Sequence, residues 1–138
     1  MSEFVVPGRA EAPTPGLSSE RRWTAMCHLS WLLGFFIPFG NIIGPLIVWL
    51  AKRHDYNEVD LHGKESLNFQ ITWAIGGAMI GGLIVIITFG FKVPGAGMFA
   101  VALLIFGALA MFVLPFVGAV KAARGHFFRY PLTIRFLQ

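Results

Sequence analysis

Two uncharged apolar runs, residues 71–91 and 98–120, are separated by only the six-residue turn Lys92-Val-Pro-Gly-Ala-Gly97. Each run is long enough, as a helix, to cross a hydrocarbon layer about 30 Å thick. So short a connection makes the two helices antiparallel neighbours. A transmembrane barrel would need segments of about ten residues alternating in polarity, which these unbroken runs do not have. The balance of residues agrees: the 138-residue chain is 56% hydrophobic and 13% charged, and its mean hydropathy is +0.69. Soluble domains carry about 25% charged residues. The expected class is an all-α, polytopic integral membrane protein with one helical domain, whose first partner is the lipid bilayer.

Ahead of these runs stands a weaker apolar segment. Residues 23–37 span roughly 22 Å as a helix, short of a full crossing. They meet Pro38-Phe-Gly-Asn-Ile-Ile-Gly-Pro45, which should break the helix and turn the chain. A second short apolar piece, residues 46–51, leads into Lys52-Arg53-His54-Asp55. Residues 23–51 could be one kinked span or a hairpin of two short helices, and basic residues decide between them. A hairpin places Arg9, Arg21, Arg22, Lys52, Arg53, Lys64, Lys121, Arg124, Arg129 and Arg135 on one side and Lys92 alone on the other. A single span would split the same residues about seven to four. The hairpin is preferred, re-entrant or as two thin spans. Both termini are then cytoplasmic, and the membrane is expected to be a bacterial cytoplasmic membrane.

Residues 1–18, with Pro7, Gly8, Pro13, Pro15 and Gly16, read as a disordered tail with no apolar periodicity. No short apolar region with a cleavage site suggests a secretory signal. Ser18 or Ser19 is the expected cap of the first helix, with Arg21, Arg22 and Trp23 as an interfacial anchor. The helical membrane domain is expected over residues 19–123, and residues 124–138 form a basic-aromatic segment lying at the interface. The net charge of +4 is topological, with no basic run of the kind that binds nucleic acid. The one cysteine, Cys27, allows neither an internal disulfide nor a cysteine-based zinc cluster.

The polar residues within apolar surroundings are the candidate site. In Asp60-Leu-His-Gly-Lys-Glu-Ser-Leu-Asn-Phe-Gln-Ile-Thr-Trp73, helical spacing puts His62, Glu65, Asn68 and Thr72 on one broad stripe. An unpaired amide in hydrocarbon is costly, so Asn68 must face protein or water. His28 lies within the first apolar segment, and Asn41 sits at the hairpin tip. With Asn68 and Gln70, these two could line a polar cavity. Gly77 and Gly81, four apart, form a small-residue seam for close helix packing. His62 and Glu65 could together touch a metal ion, but two ligands are not a site. No catalytic motif or cofactor-binding fingerprint occurs.

Three blocks resemble a known family: Cys27-His-Leu-Ser30 with Pro38-Phe-Gly-Asn-Ile-Ile-Gly-Pro-Leu46; His62-Gly-Lys-Glu-Ser-Leu-Asn-Phe-Gln-Ile-Thr72; and Arg129-Tyr-Pro-Leu-Thr-Ile-Arg135. They are similar to small bacterial membrane proteins grouped with the twenty-kilodalton Tic component of the chloroplast inner-envelope import machinery. The resemblance implies a four-helix membrane domain and, by analogy, a place in polypeptide translocation. It carries over no catalytic residue and no cofactor. The expected function is a non-enzymatic membrane module that self-associates or joins a translocation or transport complex through the polar stripe and the glycine seam. Two alternatives stand beside it. One is a membrane enzyme or metal-dependent protein using His28, His62 and Glu65; the other is an oligomeric solute channel sensitive to Asn41 or Asn68.

Overall fold

A computed structural model describes residues 15–138. Most of the tail expected over residues 1–18 lies outside the described residues. Within them the chain is all-helical, without strands. Helix α1 covers Pro15–Leu29 and continues as a 3₁₀ turn, Ser30–Phe35; α2 is Gly40–Lys52; α3 is Asn57–Val85, prolonged by a π-helical turn Ile86–Gly90; α4 is Ala96–Ala123. The first helix thus starts ahead of the expected Ser18 or Ser19, at a proline whose restricted φ suits a first helical turn. The second short helix likewise starts at Gly40 instead of Leu46. Residues 40–45 are helical because Pro45 sits close enough to the helix start that its missing N–H breaks little of the hydrogen-bond ladder.

Helix α2 runs antiparallel to α1 and to α3, and α4 antiparallel to α1, so α1 and α3 run side by side in the same direction. Lys52 lies over the Trp23 ring, Val48 packs with Cys27, and Gly44 and Gly40 face Ser30 and Leu33. One number therefore rises as its partner falls, as in a hairpin. The arms touch backbone to backbone: a Cβ on Gly44 would overlap the Ser30 carbonyl, and one on Gly40 the Leu33 carbonyl. Helix α2 descends α3 through Asn41–Gln70 and Trp49–Asp60 pairs. Helix α4 descends α1 through Trp31–Phe112, His28–Gly118 and Arg21–Gly125 neighbours.

These packings form a collar around the lower part of α3. Residues 65–70 are buried in unbroken succession, which a helix achieves only when covered on every side. Above the collar the α3–α4 hairpin stands alone. Among the described helices, two are long and apolar enough to cross a membrane, Asn57–Gly90 and Ala96–Ala123. The most apolar 18-residue stretch of the first has none of its residues buried, and that of the second only 6%. A core helix of a soluble protein would be buried there. Instead Met79, Leu83, Phe89, Met98, Leu104 and Phe106 all point outward.

Candidate functional site

The polar side chains of α3 are distributed over three of its faces, because successive helical residues turn by about 100°. His62 and Ser66 face α1. Gly63 and Gln70 face α2. Glu65, Asn68 and Thr72 face the C-terminal segment. Each face meets a different partner, so the single stripe expected from spacing becomes two polar faces, and the amide at position 70 makes a third.

On the α1 face lies a buried hydrogen-bond chain. His28 Nδ1 is 2.8 Å from the Tyr130 hydroxyl, and His28 Nε2 is 2.8 Å from His62 Nδ1. His62 Nε2 in turn lies 3.7 Å from a Glu58 carboxylate oxygen. The ring roles depend on the tautomer, and one consistent arrangement puts the His62 proton on Nε2. His62 Nδ1 then accepts from His28 Nε2–H, and His28 Nδ1 accepts the tyrosine proton. The chain joins the buried Tyr130 hydroxyl to His28 and His62, and ends beside the exposed Glu58. Its outer end borders a cleft of about 160 Å³ lined by Glu20, Arg21, Thr24, Glu58 and His62 among others.

The surroundings hold these groups in place. Ser66 Oγ donates to the Cys27 carbonyl at 2.8 Å, tying α3 to α1 beside the histidines. Gly118 of α4 leaves room above them: a Cβ there would sit 3.0 Å from Tyr130 Oη and 3.1 Å from His28 Nδ1. The Tyr130 ring stacks on Phe69 at 4.2 Å. Tyr130 belongs to the segment after α4, outside the long apolar helices. Burial, reinforced by the nearby Glu65 charge, pushes its hydroxyl pKa upward.

On the next face the C-terminal segment is clamped by side chains. Glu65 Oε1 accepts from the Tyr130 N–H at 2.8 Å and from Arg135 Nη2 at 3.1 Å. Asn68 Oδ1 accepts from the N–H groups of Phe136 and Leu137, at 3.0 and 2.9 Å, while its Nδ2 donates to the Leu137 carbonyl at 2.9 Å. The amide thus imitates a strand's edge. Thr72 Oγ1 accepts from the Ile134 N–H at 3.0 Å and donates to its own helix at the Asn68 carbonyl. Asn68 faces protein, as the cost of an unpaired amide requires, and that protein is the chain's own terminus.

On the third face Asn41 Nδ2 donates to Gln70 Oε1 at 3.1 Å. Lower down, Trp49 Nε1 donates to Asp60 Oδ1 at 2.8 Å, and Lys64 pairs with the same carboxylate at 2.6 Å. A Cβ on Gly63 would strike the Trp49 ring. Asn41, in the first turn of α2 and not in the loop before it, therefore docks the hairpin tip on α3.

His28, Asn41, Asn68 and Gln70 do not share one cavity; each lies in a different group or, for Asn41 and Gln70, in a pair. His62 and Glu65, three residues apart, diverge to His28 and to the C-terminal segment. Among the described residues no group of three or more His, Cys, Asp or Glu side chains is placed to hold a metal ion. Gly77 and Gly81 pack against nothing among the described residues, since a Cβ on either would find no atom within 4 Å. Sequence reasoning missed Tyr130, Glu58, Ser66 and Gly118. The available signal for Tyr130 was that a hydroxyl-bearing ring is rare in this chain, which has two tyrosines against fourteen phenylalanines.

Comparison with curated proteins and with solved structures gave no match. A family model, the magnetosome magnetite crystal formation protein family (MamF/MmsF), matches residues 19–137. This overturns the resemblance to the Tic import component. The three blocks behind that resemblance build the hairpin tip, the polar faces of α3 and the docked terminus. They record how a small helical collar packs and say nothing of a polypeptide cargo. Since the match takes in all four helices and the clamped segment, the chain belongs to the MamF/MmsF magnetosome magnetite crystal formation protein family.

Proposed function

We propose that this protein is a polytopic, non-enzymatic module of the membrane in which magnetite crystals form, with α3 and α4 crossing the bilayer as a hairpin. The observation that carries this reading is the division of its surface. Polar and ionisable side chains are gathered inside the collar, while the upper parts of α3 and α4 turn large apolar side chains outward on every side. Only a hydrocarbon environment or other apolar helices make such a surface stable. Helix α2, at 13 residues, is about 20 Å long and too short to cross, which supports a hairpin entering from one side. The excess of basic residues on the collar side puts both termini in the cytoplasm. Residues 19–123 act as one domain, and residues 124–138 lie at the interface.

The test has two parts. Single cysteines placed by Val93→Cys and by His126→Cys, with Cys27 shielded by burial, should react with an impermeant maleimide from opposite sides of the membrane. Labelling from one side would end the two-span topology. In a magnetite-forming bacterium, replacing the gene should change crystal size or number in electron micrographs. Unchanged crystals would remove the role in crystal formation.

The module works by assembly, with itself or in a larger complex. Gly77 follows Gln70 by seven residues and so continues the face that α2 covers lower down. That face is open above the hairpin tip, and Gly77 lets a neighbouring helix approach it closely.

A further inference from the structure

The tip of the α1–α2 hairpin carries three of the most exposed aromatic side chains in the molecule: Phe35, Phe36 and Phe39, at 68%, 82% and 75% exposure. The backbone at the tip is unusual as well. Phe39 adopts φ 58°, the left-handed region that bulky side chains rarely enter. Such conformations persist only where surrounding structure enforces them. Here the enforcement is visible. The glycine contacts of Gly40 and Gly44 press the two arms together backbone to backbone, and Asn41 binds the tip to Gln70. The hairpin is a stiff object ending in three rings.

The register gives the depth of those rings. Through Asn41 the tip is level with Gln70 of α3, and helix continues from there to Gly90. That remaining helix rises about 30 Å, one hydrocarbon thickness. The rings therefore lie at the near boundary of the hydrocarbon, where headgroups meet acyl chains. Phe35 packs against Trp31 at 5.6 Å and Trp31 against the exposed Phe112 of α4 at 5.8 Å, so the tip adjoins the outward apolar band and shares its occupant. On the basic side of the protein that boundary is an anionic leaflet.

We propose that the α1–α2 hairpin is an aromatic wedge inserted into one leaflet, so that the protein favours highly curved bilayers. A rigid body that displaces headgroups on one side only expands that leaflet relative to the other. Such insertion is relieved where the bilayer already bends toward the wedge, which makes binding curvature-sensitive. The inference rests on the membrane-spanning reading above, and the following experiment separates the two.

Dye-labelled protein is reconstituted into vesicles of phosphatidylglycerol and phosphatidylethanolamine with a broad spread of diameters, and its density per membrane area is counted vesicle by vesicle. A severalfold higher density on the smallest vesicles is expected for the native chain. The triple variant Phe35→Ser, Phe36→Ser and Phe39→Ser should lose that preference while resisting alkaline carbonate extraction. Native protein that resists extraction yet spreads evenly over all diameters overturns the wedge alone. Extraction of native protein overturns the spanning reading and the wedge together. A fluorophore on Phe36→Cys gives an independent measure, because Cys27 is buried. Quenching strongest by lipids brominated near the headgroup supports the wedge. Quenching only by deeply brominated lipids, or none, overturns it.

Discussion

His28 Nε2 lies 2.8 Å from His62 Nδ1, joining two imidazoles that stand 34 residues apart in sequence. Both side chains are fully enclosed, and Tyr130 closes the inner end of the chain they form. Each member depends on its neighbour for its only good partner on that side.

Breaking this chain should therefore cost stability. We predict that Tyr130→Phe, which leaves His28 Nδ1 without a donor, lowers folding stability by about 1–3 kcal/mol. His62→Ala should cost at least as much, since it also opens a void. Reversible denaturation in detergent micelles measures both. If Tyr130→Phe leaves the midpoint unchanged, the hydroxyl contributes nothing and the chain ends at His28.

Asn68 holds three main-chain groups of the C-terminal segment. Asn68→Ala should detach that segment at a cost of about 1–3 kcal/mol, or roughly a 5- to 150-fold rise in its opening. Limited trypsin digestion reads this directly, because Arg129 and Arg135 lie in the segment. Cleavage there should accelerate while the helical core stays intact. A rate equal to that of the native chain would show that Glu65 and Thr72 suffice.

Gly44 of the hairpin and Gly77 of α3 should respond oppositely. Gly44→Ala forces a methyl into the Ser30 carbonyl and should destabilise the fold by at least about 1–3 kcal/mol. Gly77→Ala adds a methyl to open space and should be neutral, or stabilising by up to about 1 kcal/mol through helix propensity. If Gly77→Ala leaves the fold intact but weakens self-association in lipid discs, the open face is the interface. Unchanged association would remove Gly77 from it.

The alkaline limit of stability should depend on Tyr130. Its pKa is raised in the folded state, so the neutral form is favoured there. The stabilisation is complete below the ordinary tyrosine value of about 10 and is lost as pH rises above it, because the unfolded chain ionises first. Denaturation midpoints taken from neutral to strongly alkaline pH should fall less steeply in Tyr130→Phe than in the native chain. Parallel curves would mean that the hydroxyl ionises equally in both states.

Much of this molecule follows from local pattern. Uncharged runs of some twenty residues can satisfy their backbone only as helices, and six residues between them leave no choice but an antiparallel pair. The break marked at Pro38 is real, though Gly40, Gly44 and Pro45 belong to the helix that follows it. The cost of burying an unpaired amide or imidazole made His28, His62, Asn68 and Gln70 worth singling out. Which partner each would find is a different matter, because it depends on contacts between residues far apart in sequence. Tyr130 reaches His28 across 102 positions, and Asn68 meets Leu137 across 69. Spacing along α3 placed Glu65, Asn68 and Thr72 on a common face, but only packing could show that the chain's own terminus occupies it. For the same reason His62 and Glu65 diverge although they are neighbours on the helix. A difference of three residues turns a side chain by some 60° about the axis, enough to direct one toward α1 and the other toward the C-terminal segment.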